Sequence, residues 1–166
     1  STIKDINGNI YNLENSFSFD LNKEIITSKK TNIIDVDNNI YIFENAQINL
    51  VNKEILGKEI KIDFIDDYFG VPNNDPILKG RSAISNDEET KIYKTVFSTC
   101  NTVNKSCPGW EIETEEFTHD KINKVFNYKN SWLKLFDKEI FYFPYFSHPD
   151  PSVKRKSGFL VPYYGS

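Results

Sequence analysis

The chain has 166 residues, a net charge of −4, and 39% hydrophobic, 14% aromatic and 27% charged residues. That is one domain, or one domain and a tail, with enough apolar residues for a core. The acidic balance excludes a globally basic nucleic-acid binder. The mean hydropathy of −0.51, with no apolar run of the roughly 18 residues a spanning helix needs, excludes a transmembrane helix.

The opening Ser1–Asp5 stretch has no apolar signal region and the chain lacks an initiator Met, so a piece of a longer precursor is expected. An internal repeat follows. Asp5-Ile-Asn-Gly-Asn-Ile-Tyr-Asn-Leu-Glu-Asn15 aligns with Asp35-Val-Asp-Asn-Asn-Ile-Tyr-Ile-Phe-Glu-Asn45, an offset of 30 (Asp5 to Asp35). Asn-Lys-Glu-Ile then recurs at Asn22–Ile25 and Asn52–Ile55, and a partial third copy lies at an offset of 115 (Asn15 to Asn130). Such repeats predict stacked supersecondary units that cannot bury a face alone.

Each unit reads as strand, turn, strand, turn. Asn7-Gly8-Asn9 and Asp37-Asn38-Asn39 are turn residues that tolerate φ > 0, and Asn22-Lys23 and Asn52-Lys53 are the second turns. Phe17-Ser-Phe19 and Ile40-Tyr-Ile-Phe43 are strand-forming runs. Ile40 and Ile42 alternate with Tyr41 and Phe43, so both faces of that strand are apolar. Phe17 and Phe19 are out of phase with Ile48 and Leu50 in the aligned copy, through a bulge in one copy or use of opposite walls. Phe17, Phe19, Ile40, Ile42, Ile48 and Leu50 form a sandwich core or line an apolar groove.

Phe64 to Gly80 is turn-rich and predicts a loop or chain reversal; strand resumes at Gly80–Ser85, followed by an acidic turn. Cys100 and Cys107 raise a disulfide, whose local closure would contribute about 2–3 kcal/mol on the chain-entropy model. With His119 and His148 they lack the close paired spacing of structural zinc motifs, so no metal and no cofactor are expected. No phosphate loop, nucleophile elbow or metalloprotease motif is present, and the chain is not read as an enzyme. Trp110 and Trp132 stand within strand patterns as core or groove residues. Glu111–Thr118 and Val125–Tyr128 are strands around a turn at 120–124. The architecture predicted is all-β: an open jelly roll of stacked antiparallel hairpins.

Past residue 143 an aromatic run meets Pro144, Pro149 and Pro151, then Lys154, Arg155, Lys156 and Ser157-Gly-Phe-Leu-Val-Pro162. Prolines withhold ladder donors, and the basic triplet suits anionic head groups. This block, Pro144-Tyr145, Lys154–Lys156 and Ser157–Pro162 in that order, resembles the junction of the LptD (OstA) family of lipopolysaccharide-assembly proteins, in particular its alphaproteobacterial branch. The resemblance implies a periplasmic jelly roll over 1–143 and a junction over 144–166 leading into an outer-membrane β-barrel outside this chain. It implies that Phe17, Phe19, Ile40, Ile42, Ile48, Leu50, Trp110 and Trp132 shelter lipopolysaccharide acyl chains, with Pro144, Pro149 and Pro162 near a lateral gate. Implied partners are lipopolysaccharide, an LptA-like bridge protein paired edge to edge, an LptE-like lipoprotein held by the barrel, and the outer membrane. Cys100 matches a family cysteine that pairs with cysteines of the distant barrel, while Cys107 matches a second one that favours the local bridge; both pairings stay open. The alternative is an adhesive β-solenoid without lipid.

Overall fold

In a computed structural model the chain is described at residues 1–36, 38–64, 74–101, 109–150 and 153. Among the described residues ten strands follow one another: β1 (Thr2–Lys4), β2 (Ile10–Asp20), β3 (Ile25–Ile34), β4 (Ile40–Asn49), β5 (Glu54–Asp63), β6 (Asn74–Ser85), β7 (Glu89–Asn101), β8 (Trp110–Asp120), β9 (Val125–Leu135) and β10 (Lys138–Pro149). They lie side by side in chain order, every neighbour antiparallel. No helix occurs among the described residues. The all-β roll of stacked hairpins expected from the sequence is the fold.

The hairpins are built by short polar side chains. Asp20, Asn49, Asn86 and Asp120 each accept, through Oδ1, the backbone N–H groups two and three residues on. These are Asx turns, which reverse the chain without a tertiary partner. Glu24, Lys53 and Lys124 then take left-handed φ of 53°, 56° and 54° to leave three of them.

A second set of left-handed residues bends the sheet. Lys30 (φ 54°), Glu59 (50°), Lys94 (54°) and Asn130 (51°) sit mid-strand on β3, β5, β7 and β9, at one level across the sheet. Non-glycine residues rarely adopt this conformation, and here it shifts the pleat by one residue. Inward positions therefore run Ser28 then Thr31, Ala46 then Phe43, Gly57 then Ile60, and Tyr128 then Ser131, three apart instead of two. The sheet creases along this line into two walls. Buried hydroxyls follow the crease: Ser131 Oγ donates to Thr114 Oγ1 (2.8 Å), Thr114 Oγ1 donates to the carbonyl of Lys129 (2.8 Å), and Thr95 Oγ1 to that of Ile92 (3.1 Å). They satisfy groups near the break in the pleat.

The walls pack by complementary size. Along one side of the crease the inward ladder reads Ser28, Ala46, Gly57, Ala83, Ile92, Phe117, Tyr128, small to large. Along the other it reads Leu13, Thr31, Phe43, Ile60, Gly80, then Thr95, Thr114, Ser131, large to small. A Cβ placed on Gly57 would lie 2.1 Å from the Phe43 ring, and one on Gly80 would lie 2.2 Å from Ile92. Between β5 and β10 the interior is filled by rings: Phe117 lies 5.1 Å from Phe126 and 5.2 Å from Tyr128, Phe64 lies 5.6 Å from Phe126, and Tyr128 stacks on Phe146 at 4.2 Å.

Three details differ from the sequence reading. β6 starts at Asn74, inside the stretch expected as loop. Pro76 is tolerated there because β5 pairs only with Ile77 onward, and the Pro76 carbonyl still accepts from Phe64 N–H (3.4 Å). The Asn-Lys-Glu-Ile match is one residue out of register: the Asx turns begin at Asp20 and Asn49, and the left-handed exits are Glu24 and Lys53. The reason is a bulge in β2, where the pairing shifts between Leu13 and Ser16, so the first copy carries an extra residue. The third copy is not equivalent either, since Ser131 points inward and is buried while Ser16 pairs with exposed Lys29 and points out.

Candidate functional site

The repeat builds the rim of an opening. Asp5 Oδ1 accepts the N–H groups of Asn7 and Asn9 (both 2.9 Å), while Oδ2 accepts Asn9 Nδ2 (2.8 Å) and the Tyr11 hydroxyl (3.2 Å). Asp35 repeats this with Asn39 N (2.8 Å), Asn39 Nδ2 (2.9 Å) and Tyr41 (3.2 Å). Gly8 (φ 96°) and Asn38 (φ 66°) supply the left-handed step in each copy. Burial works to raise the Asp5 pKa, but the bonds from Asn9, Tyr11 and Asn7 outweigh it and hold the carboxyl below its usual value. Burial, with the Asp5 carboxylate beside it, pushes the Tyr11 hydroxyl up to about 12. The two tyrosines are thereby fixed with their rings toward the interior.

Beneath this rim the walls separate. A cavity of about 610 Å³ has an apolar floor of Tyr11, Ile33, Tyr41, Phe43 and Ile55 and a charged border that includes Lys53, Asp87, Lys121 and Lys124. It adjoins an apolar cleft of about 150 Å³ between Ile3, Ile6, Ile26, Ile48, Leu50 and Ile55. Tyr11 and Ile55 line both. Lys121 reaches into the border, its Nζ donating to Ser85 Oγ (3.1 Å) and to the Asn86 carbonyl, and burial lowers its pKa. An apolar floor under a border that carries both cations (Lys53, Lys121, Lys124) and carboxylates (Asp35, Asp87, Asp150) is suited to an amphipathic molecule.

The inner face is also open at both margins of the sheet. Among the described residues β1 covers β2 at Ile10–Asn12, and Ser1 extends the cover to Leu13 through two backbone bonds. Phe17 and Phe19 pair with buried Ser28 and Ile26, so they lie on the inner face, yet they are 52% and 44% exposed. At the other margin Phe141, paired with Leu133, is 55% exposed.

The sequence-chosen residues are distributed as follows. Phe17, Phe19 and Ile48 share one inner ladder region, and Leu50 stands at the cleft. Ile40 is half-exposed at the start of β4. Trp110 packs on the core, 6.2 Å from Phe97. Ile42 and Trp132 belong to the outer face, in a separate trench. Pro144 and Pro149 are on β10, an edge strand among the described residues, where a missing donor is tolerated. Lys154, Arg155, Lys156, Pro162, Cys107 and the side chain of Cys100 lie outside the described residues. Tyr11, Ile26, Tyr41, Ile55 and Lys121 were not singled out by the sequence. The repeat held the signal for two of them, because Tyr11 and Tyr41 occupy one repeat position after equivalent aspartates.

The histidines pack in the roll. His119 Nε2 contacts Asp150 Oδ2, both nearly buried. His148 Nε2 meets the Tyr128 hydroxyl at 3.0 Å, beside Phe126. Burial lowers the His148 pKa below 6.5, although the Pro149 carbonyl and Asp150 oppose this. A lowered value means the fold prefers neutral imidazole, so this stability is complete above pH 6.5 and is lost as pH falls through the folded value. The urea midpoint should therefore drop more steeply on acidification in the parent than in His148→Asn; parallel pH profiles would refute the assignment.

No family model matches the chain. It is similar to the LPS-assembly protein LptD of Idiomarina loihiensis, with 28% identity over 122 residues, covering 68% of this chain and 15% of that protein. The chain thus spans a small part of the length of the curated relative it matches.

Proposed function

We propose that this chain is a non-enzymatic lipopolysaccharide-transport domain working at the periplasmic face of the outer membrane, and that its roll shelters acyl chains. The observation that carries the proposal is the opening at Tyr11, Ile33, Tyr41 and Ile55, apolar within and charged at its border. Similarity to an LPS-assembly protein supports the choice of lipid. Water-exposed acyl chains cost about 0.8 kcal/mol per CH₂, so a carrier needs an apolar recess with space for a polar head outside it.

In this reading the acyl chains enter beside Phe17, Phe19 and Ile48, and the charged border holds the phosphorylated head. The uncovered edge of β2 beyond Leu13 presents unpaired backbone groups to a bridge protein of the same fold. β10, with Pro144 and Pro149, leads toward a membrane barrel that receives the lipid. Photo-crosslinkers at Phe19, Ile48 and Ile55 should capture lipopolysaccharide in cells, while one at Gln47, which faces outward on β4, should not. Lack of adducts at all three inner positions would sink the proposal.

A further inference from the structure

The outer face carries a trench of about 990 Å³ that the acyl groove does not use. It runs across the strands between two outward ladders. One passes from Ile42 through Lys61, Lys79 and Glu113 to Trp132 and Tyr142, each step a direct cross-strand pairing or one strand removed. Six inter-strand steps of about 4.8 Å make it roughly 29 Å long.

Its second ladder reads Glu44, Glu59, Arg81, Lys94 and Glu115, so opposite charges face each other at Glu59–Arg81 and Lys94–Glu115 and like charges at the other steps. Lys61 faces Lys79 directly. The register between Lys79–Val96 and Ser82–Tyr93 sets Arg81 opposite Lys94, and that between Phe43–Ile60 and Asn45–Lys58 sets Glu44 opposite Glu59. Like charges directly opposite are destabilising. Among the described residues no ion pair neutralises Lys79, Arg81 or Lys94. At one end Trp132 and Tyr142 stand 5.0 Å apart, 37% and 40% exposed. They are held in place: the Tyr142 hydroxyl donates to Asn130 Oδ1 (2.9 Å), and Asn130 Nδ2 donates to Glu115 (3.1 Å).

We infer that this trench binds an acidic oligosaccharide, with a sugar ring on Trp132 and Tyr142 and its phosphate or carboxylate groups on Lys79, Arg81 and Lys94. Aromatic faces accept the C–H surface of a pyranose ring, and Arg binds oxyanions in a bidentate manner. Sugar hydroxyls donate to the trench carboxylates. A nucleic-acid strand, also suited to rings and cations, lacks the many hydroxyl donors with which a glycan satisfies Glu44, Glu59, Glu113 and Glu115. Lying on the opposite face, the trench stands independently of the acyl groove.

The full chain would be titrated, with tryptophan fluorescence and calorimetry, against the phosphorylated oligosaccharide left after lipopolysaccharide is fully deacylated, against hexagalacturonate, against neutral maltohexaose and against oligo-dT. Saturable binding of either acidic glycan is expected, about tenfold or more tighter than maltohexaose. Binding of both identifies a general acidic-glycan site; preference for the first identifies the lipopolysaccharide sugar as the source. Arg81→Ala/Lys94→Ala should weaken binding about tenfold or more while leaving the melting temperature little changed, because the repulsion relieved between Arg81 and Lys94 offsets the exposed attractions lost to Glu59 and Glu115. Trp132→Ala should weaken it as well, and Lys58→Ala, outside the trench, should not. No saturable glycan binding, binding indifferent to these variants, or tighter binding of oligo-dT would each overturn the inference.

Discussion

Phe43→Ala is expected to remove about 3–5 kcal/mol of stability, the range for truncating a fully buried phenylalanine. Phe43 is 2% exposed and faces Gly57, where the opposite ladder is narrowest. The void would also open into the cavity beneath Tyr11 and Tyr41, so the lost transfer energy would be offset in part by water entry. The partner residue gives a sharper test. Gly57→Ala places a methyl group within 2.1 Å of the present ring position, and overpacking of this kind costs about 1–3 kcal/mol. Combined with Phe43→Leu, however, the added methyl occupies space the ring has vacated. The double variant should then be more stable than the sum of the single effects predicts, by about 1 kcal/mol for residues in contact. Urea unfolding of the four proteins would measure the coupling; strict additivity would mean that the two walls do not meet at this pair.

This dependence on the crease also explains what could be read from the sequence. The presence of these turns was legible because each is local, an Asp or Asn and the next three residues sufficing, although the repeat pointed to Asn22 and Asn52 and not to the accepting Asp20 and Asn49. Strand identity was legible from runs such as Ile40–Phe43, where β-branched and aromatic residues crowd together. Inward and outward assignment was not. Alternation holds only within a half-strand, and the left-handed residues that reverse it are lysine, glutamate and asparagine, types that carry no positional mark as glycine would. Ile42 and Trp132 were grouped with Ile48 for that reason, although they lie on the opposite face. The bulge between Leu13 and Ser16 had the same effect on Phe17 and Phe19, which a strict 30-residue repeat places outward. A change of repeat offset within one unit was the available signal: Leu13 matches Phe43 at 30, while Phe17 and Phe19 face the interior like Ala46 and Ile48, one residue nearer. The charged trench was invisible because its ladders join seven strands and its members are scattered from Ile42 to Tyr142.

Ile55→Asp should abolish most lipopolysaccharide binding while the protein stays folded. Ile55 is only partly buried and lines both the larger cavity and the apolar cleft, so a carboxylate there can remain hydrated in the free protein. With an acyl chain in place it would be stripped of water, or the chain would be displaced from the junction of the two spaces. Losing contact with only two or three CH₂ groups costs about 1.6–2.4 kcal/mol, a drop in affinity of roughly 15- to 60-fold. Ile55→Val keeps the passage apolar and should bind within about fourfold of the parent, as removal of one methylene predicts. The comparison separates a blocked passage from general loss of hydrophobic surface. Leu56→Asp, one residue on and 40% exposed on the outer face, carries the same charge and should bind like the parent. Equal loss in Ile55→Asp and Leu56→Asp would show that the acidic charge repels the phosphorylated head from a distance. Retained binding in Ile55→Asp would show that acyl chains do not pass between the walls at this point.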